Sequence, residues 1–291
     1  MDGTNLNAEG SGTITTIQNS RLGDFNAEVK ADIVGAGKNL LVFLHGFANS
    51  FHDGITRAAF NREWFAASGR QQADTSVIAF SWPSLGQLVA APPNLLPDEY
   101  LRDQTQAGQS GFHIASFLKR LQPIIARVRA DGRRTFLLAH SMGNFALQAG
   151  VQSWFSHGNP AVNLFDEIFL AAADERFDSF GFPAGGRLSR LRDLGNRISI
   201  YYSVRDIALY LSFAVNLTPR IGHEGPQHKA DPARFHPARY RIADCAGVSD
   251  YNLTIPLDAS HQYYRRSRTV RTDIAAAMAN DSSVQGGLIT L

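Results

Sequence analysis

The chain has 291 residues, of which 44% are apolar, and a formal net charge of +2. A chain of this length buries roughly 75% of its unfolded surface, enough for one sizeable domain. The small net charge does not favour a nucleic-acid partner. The only cysteine is Cys245, which excludes an internal disulfide and a cysteine-based zinc site. No apolar run in the sequence reaches the length that a membrane span needs.

The first twelve residues, MDGTNLNAEGSG, lack the basic start and apolar stretch of a signal peptide. We therefore expect a cytoplasmic protein in which residues 1–12 form a flexible tail. No linker composition or internal repeat divides the remainder. The sequence thus predicts a single domain over residues 13–291.

Strand-like and helix-like segments alternate along the chain. Residues 13–17 and 25–33 have the pattern of an antiparallel edge pair. Buried strands are predicted at 39–44, 74–80, 135–139, 167–172, 197–203 and 240–248, and helices at 53–68, 107–130, 144–154 and 262–279. This order predicts the α/β class, with a mostly parallel central sheet and helices on both faces.

Two segments near the predicted strand ends are ambiguous. Residues 85–104 are predicted to be irregular, with Pro92, Pro93 and Pro97 breaking any regular element, and the segment 85–106 is predicted to form a cap or a pocket wall. A surface loop is the alternative for this stretch. Residues 207–217 are apolar and fit either a wall of an acyl pocket or a buried helix.

The stretch RTFLLAHSMGNFAL, residues 134–147, is the most informative part of the sequence. A short apolar run ends at Ala139, His140 and Ser141 follow at once, and a helical pattern starts near Asn144. A strand that turns into a helix at a serine resembles a nucleophile elbow, although Ala139 replaces the first glycine of G-x-S-x-G. The alternative is a buried strand followed by a serine N-cap.

The predicted strand at 39–44 is followed directly by His45, Gly46 and Phe47. A glycine at this point lets the backbone pass close to a ligand. In an enzyme with a serine elbow, one oxyanion donor comes from such a loop and the other from the residue after the serine. The predicted donors are the N–H groups of Phe47 and Met142, with a plain strand-to-helix turn as the alternative for the first.

A serine nucleophile needs a base within hydrogen-bond reach, and the base needs an acid. Among nine histidines, His261 fits best because it follows the last predicted strand. The chain order serine, acid, histidine is the one that elbow enzymes use. Asp206 is the favoured acid, and Asp174, which follows the preceding strand, stays open as the alternative.

Five segments occur in order between residues 39 and 270: VFLHGF (42–47), FSWPS (80–84), LLAHSMGN (137–144), YYSVRD (201–206) and SHQYY (260–264). Together they resemble a bacterial, esterase/lipase-like family of the α/β-hydrolase superfamily whose function is unknown. HSMGN with FSWPS is far more specific than the serine pentapeptide alone. The resemblance implies Ser141, Asp206 and His261 as nucleophile, acid and base, and Phe47 and Met142 as oxyanion donors.

The expected function is hydrolysis of a carboxylic ester of a small acyl substrate through an acyl-enzyme, without a metal or a cofactor. Thioester, amide or acyl-transfer chemistry on the same triad is one alternative. A hydrolase-fold protein that binds a ligand without turnover is another. The sequence does not specify an oligomeric state.

Overall fold

The computed structural model describes residues 25–84, 97–251 and 260–291. In this part of the chain the strands are Asn39–Leu44 (β1), Thr75–Phe80 (β2), Thr135–His140 (β3), Phe165–Ala171 (β4), Gly195–Tyr202 (β5), Tyr240–Asp244 (β6) and Gly287–Thr290 (β7). They form one sheet in the order β2-β1-β3-β4-β5-β6-β7, and every neighbouring pair is parallel. The predicted α/β class with a central parallel sheet is confirmed.

Of the helices in the described residues, one precedes β1 in the chain, and the others lie between successive strands. The helices are Phe25–Gly35 (α1), Phe51–Ala66 (α2), Pro97–Gln109 (α3), Gly111–Ala130 (α4), Gly143–Ser156 (α5), Ile207–Asn216 (α6), Ile221–Glu224 (α7), Tyr263–Arg266 (α8) and Arg268–Ala279 (α9). No helix in the described ranges combines the length and the apolar character that crossing a bilayer requires.

The central strands are continuous apolar runs because the sheet is covered on both faces. In β1, Leu40, Val42 and Leu44 belong to one apolar cluster, whereas Leu41 and Phe43 belong to the other. Alternate side chains of a strand point to opposite faces, so this division follows from the strand geometry. Helices α4 and α5 cover the first face, and α2 and α9 cover the second.

Two predictions for the first half of the chain are wrong. Residues 25–33, predicted as an edge strand, lie in α1, whose Ile33 packs against the first apolar cluster. Residues 97–104, predicted as irregular, lie in α3, and the predicted helix at 107–130 is divided between α3 and α4. Pro97 is the first residue of α3, where its missing N–H breaks no helical hydrogen bond.

The C-terminal part also differs from the prediction. The predicted helix at 262–279 is interrupted at Ser267, whose extended backbone ends α8 and whose hydroxyl caps α9 by accepting the Val270 N–H (3.1 Å). Strand β7 was not predicted. The predicted tail at 1–12, the predicted strand at 13–17 and residues 85–96 of the predicted cap lie outside the described residues.

The parallel order of the sheet brings the ends of distant strands together. Leu44 of β1 pairs with Ala139 of β3, and His140 pairs with Ala171 of β4, which pairs in turn with Tyr201 of β5. The residues that follow these strands therefore lie along the same carboxyl edge of the sheet. In open α/β sheets this is the edge at which ligands bind.

Candidate active site

Ser141 lies in the sharp turn between β3 and α5. It directly follows His140, the last residue of β3, and α5 begins two residues later. Its φ of 54° is in the left-handed region, where a residue other than glycine is held at a cost of about 1–3 kcal/mol. The Asn144 side chain stabilises the turn by donating to the carbonyls of Ala139 (2.9 Å) and Ser141 (3.1 Å).

Two glycines allow close packing around Ser141. A Cβ on Gly143 would lie 2.6 Å from the His45 carbonyl oxygen, and one on Gly46 would lie 2.8 Å from the Ser141 Cβ. Both positions therefore require a residue without a side chain. Ala139, in place of the usual first glycine, is fully buried, so the core accommodates its methyl group.

The Phe47 and Met142 N–H groups belong to the two segments of the chain that meet at Ser141. Met142 is the next residue, and Phe47 follows Gly46, which packs directly on the serine. Within the described residues neither N–H donates a hydrogen bond to another protein group. Both donors can therefore bind an acceptor supplied by a ligand.

Asp206 and His261 form a buried hydrogen-bonded pair. Asp206 follows β5 and caps α6, where its Oδ1 accepts the Leu209 N–H (3.1 Å). Its Oδ2 accepts a hydrogen bond from His261 Nδ1 at 2.8 Å, with Asp206 fully buried and His261 9% exposed. Since a carboxylate only accepts, Nδ1 carries a proton and donates it to Asp206.

His261 packs against His140, the residue that precedes Ser141. The His140 and His261 ring centroids are 4.8 Å apart, and His140 Nε2 lies 3.4 Å from the His261 carbonyl oxygen. The hydrogen bonds between described residues join His261 to Asp206 and include none between His261 and Ser141. The structure thus joins two of the three predicted triad residues directly and brings the third to the same edge.

Asp174, the alternative acid, belongs to a separate buried network. Its carboxylate accepts hydrogen bonds from Tyr100 (2.7 Å) and Ser212 (2.6 Å) and pairs with Arg220, whose Nε lies 3.0 Å from Oδ1. Burial raises the pKa of Tyr100, so its hydroxyl stays protonated and donates to the carboxylate. Of the two predicted acids, Asp206 is the one bonded to His261.

A family model described as "Alpha/beta hydrolase of unknown function (DUF900)" matches residues 20–270. The chain belongs to this α/β-hydrolase family. The predicted membership of the α/β-hydrolase superfamily is therefore confirmed. A comparison with curated proteins gave no match.

Two solved structures are similar to parts of this α/β-hydrolase. One is TT1662 from Thermus thermophilus, at 14% identity and a TM-score of 0.33, covering 71% of this chain and 80% of that one. The other is an esterase from the bacterial hormone-sensitive lipase family, at 11% identity and a TM-score of 0.26, with 80% of this chain and 63% of that chain covered. These values carry no argument about activity.

Two histidines beside the elbow of this α/β-hydrolase are buried in their neutral form. Burial lowers the pKa of His140 well below its usual range, and the nearby His261 lowers it further. Burial also lowers the pKa of His45. The unfolded chain, in which histidine has a pKa of about 6.5, therefore binds more protons in mild acid than the folded protein does.

We expect the contribution of these histidines to the free energy of unfolding to be fully present above about pH 6.5 and to be lost as the pH falls below that value. The free energy of unfolding should fall by about 1.4 kcal/mol per pH unit for each histidine that stays neutral in the folded protein. Urea unfolding of the wild type and of His140→Phe at pH 7.5 and 5.5 measures this. The variant should lose about 1.4 kcal/mol less over that interval. Equal losses in the two proteins would contradict the assignment.

Several residues that hold the site were not singled out by sequence reasoning. Asn144 lies inside the HSMGN motif, so a signal for it was present. Tyr100 and Arg220 are far from Asp174 in the chain, and no local pattern connects the three. Their association depends on the positions of α3 and of the segment between α6 and α7, which the sequence pattern did not predict.

Proposed function

We propose that this α/β-hydrolase is a serine hydrolase that cleaves carboxylic esters through an acyl-enzyme. The observation that carries the proposal is the buried Asp206–His261 hydrogen bond beside a serine held at a φ of 54°. A strained elbow holds its serine at the carboxyl edge of the sheet, and an acid-bound histidine is the base that such a serine needs. The cytoplasmic location and the small acyl substrate are parts of the same proposal and rest on the sequence.

Acylation uses the residues at the carboxyl edge. The Ser141 Oγ attacks the ester carbonyl carbon, and His261 Nε2 takes the hydroxyl proton while Asp206 stabilises the charged ring through Nδ1. The former carbonyl oxygen becomes an oxyanion, which the Phe47 and Met142 N–H groups bind. When the intermediate collapses, His261 gives its proton to the leaving alcohol. Loss of one oxyanion donor typically costs about 3–4 kcal/mol of this stabilisation.

Deacylation repeats the same steps with water. His261 takes a proton from a water molecule while the water oxygen attacks the acyl carbon. The second oxyanion then binds to the N–H groups of Phe47 and Met142. Collapse releases the carboxylic acid and returns the proton to Ser141. Hydrogen bonds between catalytic groups are often long without substrate, so the Ser141–His261 bond is expected to form in the substrate complex.

A fluorophosphonate probe tests the proposal. We expect the probe to phosphonylate the wild type at Ser141, as read by intact mass and peptide mapping, and to leave Ser141→Ala unmodified. Ser203→Ala is a matched control, because Ser203 is also a buried serine near a strand end. This control should be labelled as the wild type is.

A panel of p-nitrophenyl esters of graded acyl length, with a matched thioester and anilide, tests the bond that is cleaved. We expect the highest kcat/KM on an ester. A higher kcat/KM on the thioester would indicate a thioesterase, and a higher kcat/KM on the anilide would indicate an amidase. A folded wild type that neither reacts with the probe nor turns over any substrate would support a binding protein and overturn the enzyme proposal.

A further inference from the structure

The loop after β1, residues 45–50, is held by side chains from several elements. The His45 carbonyl accepts the Trp82 indole N–H at 2.8 Å. The Ala48 N–H donates to Asp103 Oδ2 (3.2 Å), and the Asn49 N–H donates to Ser84 Oγ (3.0 Å). Ser84 in turn donates to Asp103 at 2.6 Å. Within the described residues the Phe47 N–H, in the middle of this loop, has no such partner.

The peptide between Gly46 and Phe47 is fixed through its carbonyl. The Gly46 oxygen lies 3.0 Å from His45 Nδ1 and 3.0 Å from Asn49 Nδ2, which also donates to the Phe47 carbonyl (2.7 Å). A trans peptide is planar, so its C=O and N–H point in opposite directions. Two donors on the Gly46 oxygen therefore fix the direction of the Phe47 N–H.

The bonding of His45 defines which nitrogen carries the proton. Its Nε2 receives the Trp82 backbone N–H at 3.2 Å and lies 3.2 Å from Ser81 Oγ. A backbone N–H can only donate, so Nε2 is the unprotonated nitrogen and Nδ1 carries the hydrogen. Burial lowers the pKa of His45, which keeps the ring neutral at neutral pH. The neutral ring can donate to Gly46 and accept from Trp82 at once.

Packing confines the His45 ring to one position. The ring is stacked on Trp82 at a centroid distance of 5.1 Å and an interplanar angle of 10°. On α2, a Cβ at Gly54 would lie 2.9 Å from His45 Cδ2, so the helix fits against the ring only without a side chain there. A ring held between an indole and a helix cannot turn away from the Gly46 carbonyl.

We propose that His45 and Trp82, with Asn49, are positioning residues that orient the Phe47 N–H towards the oxyanion. The inference rests on the proposed function and gives the FSWPS segment a role in it. Trp82 acts through His45, while Ser84 and Asp103 anchor the next two peptide groups of the loop. None of these five side chains needs to touch the substrate.

The first test replaces the donor to Gly46. In His45→Leu the ring nitrogens are lost, and we expect kcat for p-nitrophenyl acetate to fall about 100-fold, as when an oxyanion donor is removed, with KM changed less than threefold. His45→Asn places an amide N–H near the former Nδ1 and should recover at least a tenth of the wild-type kcat. Recovery by this smaller, polar residue separates donation to Gly46 from filling of space.

The second test uses two tryptophans as a matched pair. Trp82 and Trp154 are 2% and 0% exposed, and each indole N–H donates to a backbone carbonyl at 2.8 Å, Trp154 to that of Pro160. We expect Trp82→Phe and Trp154→Phe to lower Tm alike, whereas only Trp82→Phe lowers kcat at least tenfold. The Ki of a trifluoromethyl ketone, whose adduct carries an oxyanion, should rise by the same factor as kcat falls.

The outcomes separate the inference from the proposed function. A wild type without probe labelling or turnover overturns both. An active wild type with folded His45→Leu and Trp82→Phe variants whose kcat and Ki stay within threefold of wild type overturns only the positioning role. Equal losses of kcat in Trp82→Phe and Trp154→Phe would also overturn the positioning role and leave the proposed function standing.

Discussion

Replacing His261 by alanine is expected to lower kcat for p-nitrophenyl esters by about a million-fold, since a triad without its base loses nearly all of its advantage. The Ser141 hydroxyl would then have no group to take its proton, and the leaving alcohol would have no acid. Steady-state kinetics with excess ester and long incubation measures the residual rate.

Loss of the ring also leaves Asp206 buried without its partner, so stability must be separated from chemistry. His261→Asn serves this purpose, because the asparagine amide can donate to Asp206 Oδ2 from near the position of Nδ1 but offers no base at Nε2. We expect a Tm close to that of the wild type and the same loss of kcat as for alanine. His157→Ala, at an exposed helix end, is the control and should keep full activity.

A folded His261→Asn protein with more than a hundredth of the wild-type kcat would contradict the role of base. It would direct attention to His140 and His45, which lie nearest the elbow. Neither is well suited, since the Nε2 of His45 already accepts a backbone N–H and the ring of His140 is enclosed by His261 and Tyr264.

The central strands could be predicted from the sequence because the sheet is buried on both faces. Residues 40–44 and 136–139 are continuous apolar runs, and β1 and β3 each lie within one residue of their predicted bounds. Strand β7 was missed since it has four residues at the sheet edge, two of them exposed, and such a segment has no usable pattern. The predicted edge strand at 25–33 failed although its apolar residues alternate, because packing such as that of Ile33 against the first apolar cluster overrides the local pattern.

Only those residues of the candidate site that directly follow a predicted strand could be identified from the sequence. Ser141 and Asp206 each follow a buried strand, and parallel strands share one carboxyl edge, so topology alone brings them near each other. The φ of Ser141 and the locked loop at Phe47 depend on contacts with Asn144, Trp82 and Asp103. These contacts join segments far apart in the chain, and no local periodicity encodes them.

The choice between Asp206 and Asp174 shows the same limit. The two residues follow adjacent strands beyond the elbow, so the sequence favoured Asp206 but left Asp174 open as the alternative. The structure distinguishes the two carboxylates by their partners. Asp206 is bonded to His261, whereas Asp174 is bonded to Arg220, Tyr100 and Ser212. The two carboxylates should therefore differ in what their loss changes.

Asp206→Asn is expected to lower kcat about 10⁴-fold with little change in fold, because an asparagine favours the wrong ring tautomer and cannot stabilise the charged His261. Asp174→Asn is expected to act mainly on stability. Removal of one partner of a buried ion pair costs about 3–5 kcal/mol, since the Arg220 charge stays buried without compensation. Urea unfolding and kcat, measured on the same preparations, give the two quantities for each variant.

The two substitutions control for each other, because each replaces a buried carboxylate by its amide near the same edge of the sheet. We expect Asp206→Asn to lose kcat and to keep the stability of the wild type. We expect Asp174→Asn to lose stability and, under conditions in which the variant is folded, to keep kcat within about tenfold of the wild type. The reverse pattern would make Asp174 the acid. It would also require His261 to leave the 2.8 Å bond to Asp206 when substrate binds, since one Nδ1 proton serves one carboxylate at a time.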